Sequence, residues 1–142
     1  MDIILVVEDK TEEQKKAKEA VVGSGFKIVI ASTLSDAERL MGMLKDKISG
    51  IITDIHFPEQ ESGKKDNPCG IAVIVLAIQK NIPVVVCSDI NSHSAGYLET
   101  VVRGLEKFAG RKIPFVMNEK NWNESMDKLK ETKESYDENN DC

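Results

Sequence analysis

The chain has little of several features that mark specialised classes of protein. In its 142 residues, no apolar run approaches the roughly 20 needed to cross a bilayer, and no basic stretch of a secretory signal follows Met1. Its three cysteines, Cys69, Cys87 and Cys142, lack the spacing of a disulfide framework or a zinc site. A net charge of -5 argues against a nucleic-acid-binding surface, because phosphate contacts need clustered lysine and arginine. We therefore expect a cytoplasmic domain with no membrane span and no DNA-binding domain.

Short apolar runs alternate along the chain with segments of helical periodicity. The strand-like runs are residues 2–7, 26–31, 50–54, 82–88 and 113–117. The helical segments are residues 11–23, 33–47, 91–109 and a last one that begins at Asn121. Residues 70–79 are nearly all apolar and are predicted to form a buried helix, with a strand as the alternative. Apolar strands that are each followed by a helix are typical of a single doubly wound α/β domain with a parallel sheet.

Two further predictions concern the ends of helices. Thr11 would cap the first helix and Gln14 would reach back to it, as in a capping box. From about Glu131 the chain is charged and polar and offers little to bury. We therefore predict a domain over residues 1–130 and a disordered tail over residues 131–142.

Residues 50–58 carry the main chemical signal. Their apolar run ends abruptly in Asp54, and Pro58 prevents the strand from simply continuing. Asp54 would then lie at the carboxyl edge of the sheet, where open α/β sheets bind ligands. The alternative is that Asp54 caps a turn, as aspartate often does after a strand.

Polar residues also follow the other strands: Glu8 and Asp9 the first, Ser88 the fourth and Lys120 the fifth. Right-handed crossovers bring these strand ends to one edge. Three close carboxylates repel one another unless a cation lies among them, and an all-oxygen site with an open side suits Mg²⁺. A hydroxyl and an ammonium would supply donors and positive charge for a phosphoryl group, with Asp54 as its nucleophile. Taken singly, each residue also fits an ordinary role at a helix entry, in a turn or on the surface.

These motifs resemble the receiver domain of two-component response regulators, of the single-domain chemotaxis type. Val6-Val7-Glu8-Asp9 is similar to the family's acidic pair after strand one. Asp54-Ile55-His56-Phe57-Pro58 is similar to the phosphoacceptor aspartate and the proline four residues later. Val86-Cys87-Ser88 matches the serine or threonine position, and Lys120 matches the family lysine. The resemblance covers about residues 1–130 and implies a flavodoxin-like strand order of 2-1-3-4-5 with helices on both faces.

The resemblance also implies a metal site. Asp9 and Asp54 would hold Mg²⁺, Glu8 would assist through a water molecule, and the main-chain carbonyl of His56 would complete the set.

The implied function is that of a stand-alone receiver module in a phosphorelay. A sensor histidine kinase or a phosphotransfer protein would phosphorylate Asp54, Ser88 would contact the attached phosphoryl group, and Lys120 would pair with it. The output would come from a partner protein that the sequence does not name. Such a module is a self-phosphorylating acceptor at most, and we do not predict an enzyme.

The sequence departs from the family at positions that carry the output switch. Asn121 follows Lys120, where the family usually has a proline, and Met117 stands where an aromatic switch residue is common. Asp89 adds a negative charge directly after Ser88.

The third strand-to-helix loop, residues 57–68, is enlarged. Gly70 follows Asp54 by sixteen positions, roughly double the family spacing. Lys64 and Lys65 of this loop would be able to approach a new negative charge at Asp54, although both also fit a solvated surface.

Two alternative functions remain open. One is a phosphorylation-independent, pseudo-receiver interaction module that uses the long loop or the helix over residues 91–109. The other is a small metal-dependent hydrolase or cofactor binder, for which His56 and His93 are too few and too poorly spaced to form a zinc site.

Overall fold

Five short parallel strands form the centre of the fold in a computed structural model that describes residues 2–88, 92–117 and 119–140. They are β1 (Ile3–Val7), β2 (Lys27–Ala31), β3 (Ile48–Thr53), β4 (Val84–Cys87) and β5 (Phe115–Val116). The sheet order is β2-β1-β3-β4-β5, which confirms the predicted flavodoxin-like arrangement. Asp89 and Cys142, which the sequence analysis singled out, lie outside the described residues.

Helices cover both faces of the sheet. They are α1 (Thr11–Gly23), α2 (Leu34–Leu44), α3 (Gly70–Gln79), α4 (Ser92–Ala109) and α5 (Trp122–Asn140), with a short 3-10 turn at Lys45–Lys47. The apolar side chains of α1 and α5 pack on one face, and those of α2, α3 and α4 pack on the other. Within the described part of the chain, no helix is long and apolar enough to cross a membrane.

The central strand β1 shows why its sequence is apolar throughout. Leu5 and Val7 point into the core under α2, α3 and α4, whereas Ile4 and Val6 point into the core under α1 and α5. Successive side chains of a strand face opposite sides, so a strand buried on both faces needs an unbroken apolar run. Val7 pairs in register with Thr53, and the residues that follow both strands therefore leave the sheet at the same edge.

The start of α1 differs from the predicted capping box. Lys10 is the N-cap residue, and no side chain caps the helix there. The Gln14 amide instead donates hydrogen bonds to the main-chain oxygen of Glu8 at 2.7 Å and to Ser32 Oγ at 3.1 Å. The prediction of a Thr11–Gln14 box is wrong, because Gln14 finds two acceptors in the loops beside it.

The segment after residue 130 also differs from the prediction. It continues α5 as far as Asn140, so the predicted disordered tail is wrong for residues 131–140. Thr132 and Tyr136, which lie one helical turn apart, are both buried. The Arg111 guanidinium lies 3.9 Å from the centre of the Tyr136 ring. The polar composition concealed these positions because charged neighbours outnumber them.

We expect Tyr136→Ala to lower the free energy of unfolding by about 3 kcal/mol, because it removes a buried ring and its contact with Arg111. Urea denaturation would measure the change. Ser135→Ala, at an exposed position of the same helix, is the matched control and should stay within about 0.5 kcal/mol of the parent. Equal stability of the two variants would show that the last turns of α5 do not pack as described.

Candidate functional site

An acidic cluster lies at the carboxyl edge of the two central strands. Glu8 follows β1 and is completely buried, Asp9 is half-buried, and Asp54 follows β3 and is buried. Carboxylate oxygens of all three residues lie within 4.8 Å of one another. The structure therefore brings together the three acids that the sequence analysis placed at this edge.

The carboxylate of Asp54 is held by hydrogen bonds on both oxygens. Its Oδ1 accepts from the main-chain N–H of Ile55 at 2.7 Å, and its Oδ2 accepts from Lys120 Nζ at 2.8 Å. The main-chain N–H of Asp54 donates to the Val7 oxygen at 3.0 Å, which extends the pairing of β1 and β3. These bonds fix the direction in which the carboxylate points.

The ammonium of Lys120 joins two of the acids. It donates to Glu8 Oε1 as well as to Asp54, and its side chain is almost completely buried. Burial on its own lowers the pKa of this ammonium, but the hydrogen bonds and charges of Asp54 and Glu8 outweigh burial and raise the pKa above its usual value. Lys120 therefore stays protonated at neutral pH.

The following residue, Asn121, accepts from the Glu124 N–H at 3.0 Å and starts α5, as predicted.

The carboxyl group of Glu8 is forced towards its neutral form. Burial, followed by the negative charge of Asp54, raises its pKa to about 7, although Lys120 acts in the opposite direction. One ammonium is thus too little positive charge for three neighbouring carboxylates.

Asp9 provides a test of whether a cation fits this site. Its Oδ1 is buried and has no hydrogen-bond partner among the described residues. A buried carboxylate oxygen without a donor is costly unless something positive is near it. The neighbouring atoms that could act as metal ligands are carboxylate oxygens, which Mg²⁺ and other hard cations prefer. The residues present fit such an ion.

A cavity of about 1020 Å³ opens above the cluster. Five of the six predicted site residues line it, and these are Asp9, Asp54, His56, Ser88 and Lys120. Glu8 does not line the cavity, because it is buried beneath these residues and reaches them through Lys120. Ser88 is buried and is held at the end of β4 by its N–H, which donates to the Val116 oxygen at 3.0 Å.

The first turns of α1 form a wall of the cavity that the sequence analysis did not identify. Thr11, Glu12, Glu13 and Lys16 all lie in this wall. Glu13 accepts a hydrogen bond of 3.1 Å from the indole N–H of Trp122, which ties α1 to the start of α5. The sequence signal for this wall was the position of α1 directly after the acidic pair Glu8 and Asp9. A helix that begins there must border the same carboxyl edge of the sheet.

Gly70 explains how α3 approaches the acid. Its N–H donates to the Ile55 oxygen at 2.9 Å. A Cβ at this position would overlap the main-chain oxygen of Asp54 and lie 2.6 Å from the Ile55 Cα. The site therefore needs glycine at residue 70 for close approach of two backbones. In the sequence, this glycine stands out only for its spacing from Asp54.

The enlarged loop is anchored at both of its ends. The Phe57 N–H donates to the Asn67 oxygen at 3.1 Å, and the Phe57 side chain is fully buried. The oxygen of Pro58 accepts from the Leu34 N–H at 3.1 Å, in the first turn of α2. Between these anchors, residues 59–66 are exposed. The loop is thus fastened to the strand edge and to α2, and only its central part projects into solvent.

The comparison with solved structures identifies proteins of the same fold. No protein-family model matches the sequence, and no curated protein matches it. Among solved structures, a CheY-like response regulator receiver domain protein from Methanospirillum hungatei superposes with a TM-score of 0.71 and 18% identity, covering 98% of both chains. The response regulator protein TrrA from Thermotoga maritima, solved in complex with Mg²⁺ and BeF, has a TM-score of 0.65 and 22% identity over 93% of this chain and 99% of that one.

A third similar structure is the non-phosphorylated HemR receiver domain from Leptospira biflexa. It has a TM-score of 0.67 and 20% identity, and the match covers 94% of each chain. At such identities the likeness concerns the fold. The chain has the fold of response regulator receiver domains over nearly its whole length, as the resemblance in its motifs predicted.

We expect the burial of Glu8 to make stability fall as pH rises in metal-free buffer. The folded-state pKa of about 7 lies above the ordinary value of 4.5, so the folded protein holds a proton that the unfolded chain has lost. The contribution is fully present below pH 4.5 and is lost as pH rises to 7. Between pH 5.5 and 8.5, the unfolding free energy of the parent should fall by about 2 kcal/mol relative to that of Glu8→Gln. Denaturant titrations of both proteins across this range would measure it, and a constant difference would contradict the burial of this carboxyl group.

Gly70→Ala should lower the free energy of unfolding by about 1–3 kcal/mol, because its Cβ would displace the backbone that carries Asp54. Gly104→Ala is the matched control, since this helical glycine of α4 has open space around it and should become more stable by about 0.5–1 kcal/mol. Thermal unfolding of the two variants would distinguish them. Similar shifts in both would contradict the close approach of α3.

Proposed function

We propose that this protein accepts a phosphoryl group on Asp54 and acts as a receiver module in a two-component phosphorelay. The observation that carries the proposal is the placement of Asp54. Its carboxylate is oriented by Ile55 and Lys120 and lines a cavity that also contains Ser88 and Asp9. This arrangement combines an oriented nucleophile with donors for the oxygens of an incoming group.

The chemistry follows from these side chains. A carboxylate oxygen of Asp54 would form a bond to phosphorus while the bond from phosphorus to the donor's leaving group breaks, and the leaving group would keep the electron pair. Lys120, held protonated by its neighbours, would offset the charge of the phosphoryl oxygens and would not act as a base. The hydroxyl of Ser88 would donate to one of those oxygens.

Mg²⁺ is the cofactor that fits this proposal. Asp9 and Asp54 would be direct ligands, Glu8 would contribute through water, and the main-chain carbonyl of His56 would complete the set. When bound, the ion supplies positive charge that reduces repulsion between the carboxylates and the phosphoryl group. The Asp9 oxygen that has no partner among the described residues, and the excess of carboxylates over ammonium groups in the same part of the chain, support this assignment.

The proposed partners follow from the same role. The phosphodonor in the cell would be a sensor histidine kinase or a phosphotransfer protein in the cytoplasm. An output protein would read the phosphorylated state. The protein would act as an acceptor in this relay and not as an enzyme with a separate substrate.

A pseudo-receiver is the second candidate, and the surface of α4 favours it. Tyr97 is 67% exposed and Phe108 is 82% exposed on this helix. Large exposed aromatic side chains are common at protein interfaces. Such a surface would bind a partner whether or not Asp54 is phosphorylated. Met117 has no aromatic ring that would couple phosphorylation of Asp54 to binding of a partner at α4.

We expect acetyl phosphate with Mg²⁺ to phosphorylate Asp54 and Asp54→Asn to abolish the product. Intact mass measured by mass spectrometry would detect the added group, and borohydride trapping followed by peptide mapping would locate it. Asp9→Ala should slow the reaction by at least about tenfold, because it removes a metal ligand.

Asp36→Ala is the control for this experiment, because Asp36 lies in the first turn of α2 and outside the cavity lining. It should react at the parental rate. A parent protein that shows no product with acetyl phosphate or phosphoramidate would favour the pseudo-receiver.

A further inference from the structure

We propose that Lys65, in the enlarged loop between β3 and α3, is a specificity-determining residue that favours small dianionic phosphodonors at Asp54. The proposal rests on the phosphoryl acceptance proposed above. It assigns to one residue of the long loop a function in recognising the donor.

The anchoring of the loop places Lys65 at the cavity. Asn67, two residues further on, is bonded through its main-chain oxygen to Phe57, which lies only three residues after Asp54. The chain is therefore brought back to the strand edge immediately after Lys65. Lys65 lines the cavity that contains Asp54, whereas Lys64, the preceding residue of the same loop, does not.

Two other lysines of the cavity are already paired with acids. Lys120 is bonded to Glu8 and Asp54, and Lys16 lies 3.3 Å from Glu13. Lys65 forms no ion pair with any residue that the structure describes. Its side chain is thus available to an anion that enters the cavity.

Lys10 also lines the cavity, on the α1 side. It stands directly after Asp9 and shortly before the acids Glu12 and Glu13, so its field is largely offset by them. Asp66, the residue after Lys65, also lines the wall and should act in the opposite direction. These opposite charges make the proposal testable at two adjacent positions.

The physical effect of Lys65 is on the approach of the donor. A dianion that enters the cavity meets the carboxylates that line it, Asp9 and Asp54 among them, and a cation in the cavity wall raises its local concentration there. Because Lys65 is exposed, salt screens its charge over a distance of about 10 Å at 0.1 M ionic strength. Its removal should therefore weaken donor binding more than it slows the chemical step.

The test compares Lys65→Ala with Lys64→Ala, the matched control. Phosphorylation of Asp54 by acetyl phosphate, which is a dianion at neutral pH, would be followed with saturating Mg²⁺ at several donor concentrations. At low ionic strength, Lys65→Ala should raise the donor concentration for half-maximal rate by about 3–10-fold and leave the maximal rate within about twofold. Lys64→Ala should stay within about twofold of the parent in both quantities.

The charge of Lys65 can be separated from its packing. Lys65→Arg should restore the parental behaviour, and Asp66→Asn should lower the donor concentration that is needed. The effect of Lys65→Ala should shrink to less than about twofold at 0.5 M salt. It should also be smaller with phosphoramidate, which carries less negative charge than acetyl phosphate.

Binding of Mg²⁺ provides a readout that does not depend on phosphorylation. Trp122 is the single tryptophan of the chain and lies two residues after Lys120, so its fluorescence would follow a Mg²⁺ titration. Loss of a positive charge near the acids should leave Mg²⁺ affinity unchanged or raise it by up to about twofold. Distortion of the loop would lower Mg²⁺ affinity together with donor binding.

Three outcomes would overturn the proposal. Equal donor dependence of Lys65→Ala and Lys64→Ala would show that Lys65 has no special role. A joint loss of Mg²⁺ and donor binding in Lys65→Ala would show that its role is structural. If the parent protein accepts no phosphoryl group, both the proposed function and this inference are wrong. If the parent reacts but Lys65→Ala behaves like Lys64→Ala, only this inference is wrong.

Discussion

The buried contact of Lys120 with Glu8 and Asp54 is the interaction on which the site depends. It joins the ends of three different strands, because Glu8 follows β1, Asp54 follows β3 and Lys120 comes after β5. A buried charge without a partner is costly, so each of these groups holds the others in place. The same contact keeps Lys120 protonated and leaves the carboxylates with an excess of negative charge, which is the physical basis for expecting a cation there.

The contact of Lys120 with Asp54 also affects how a chemical change at Asp54 would alter the surrounding structure. A phosphoryl group on Asp54 would compete for the hydrogen bonds of Lys120, and the backbone beside Asp54 is packed against Gly70. The segment that follows Asp54 bonds to the first turn of α2 through Pro58. Any displacement of this segment would therefore be felt in the loop and α2. Met117 has a flexible, apolar side chain and no aromatic ring that could turn between an exposed and a buried position.

Much of the fold could be predicted from the sequence, because strands buried on both faces require unbroken apolar runs and parallel crossovers have a fixed hand. The errors arose where local composition competes with tertiary contacts. Gln14 fits a capping box, yet it bonds to Glu8 and Ser32, which the loop geometry brings near. The polar composition after residue 130 suggested disorder, yet Thr132 and Tyr136 are buried against the domain.

The sequence by itself determined which residues stand at the ends of the strands, and the parallel topology then requires that they share one edge. Only the tertiary structure decided their pairing. The contact of Lys120 with Glu8 spans 112 positions of the chain, so no local pattern encodes it. Likewise, the choice between Lys64 and Lys65 as the cavity residue depends on how the loop is anchored at Phe57 and Asn67. Strand ends follow from chain connectivity, whereas side-chain contacts follow from distances that exist only once the sheet and helices have packed.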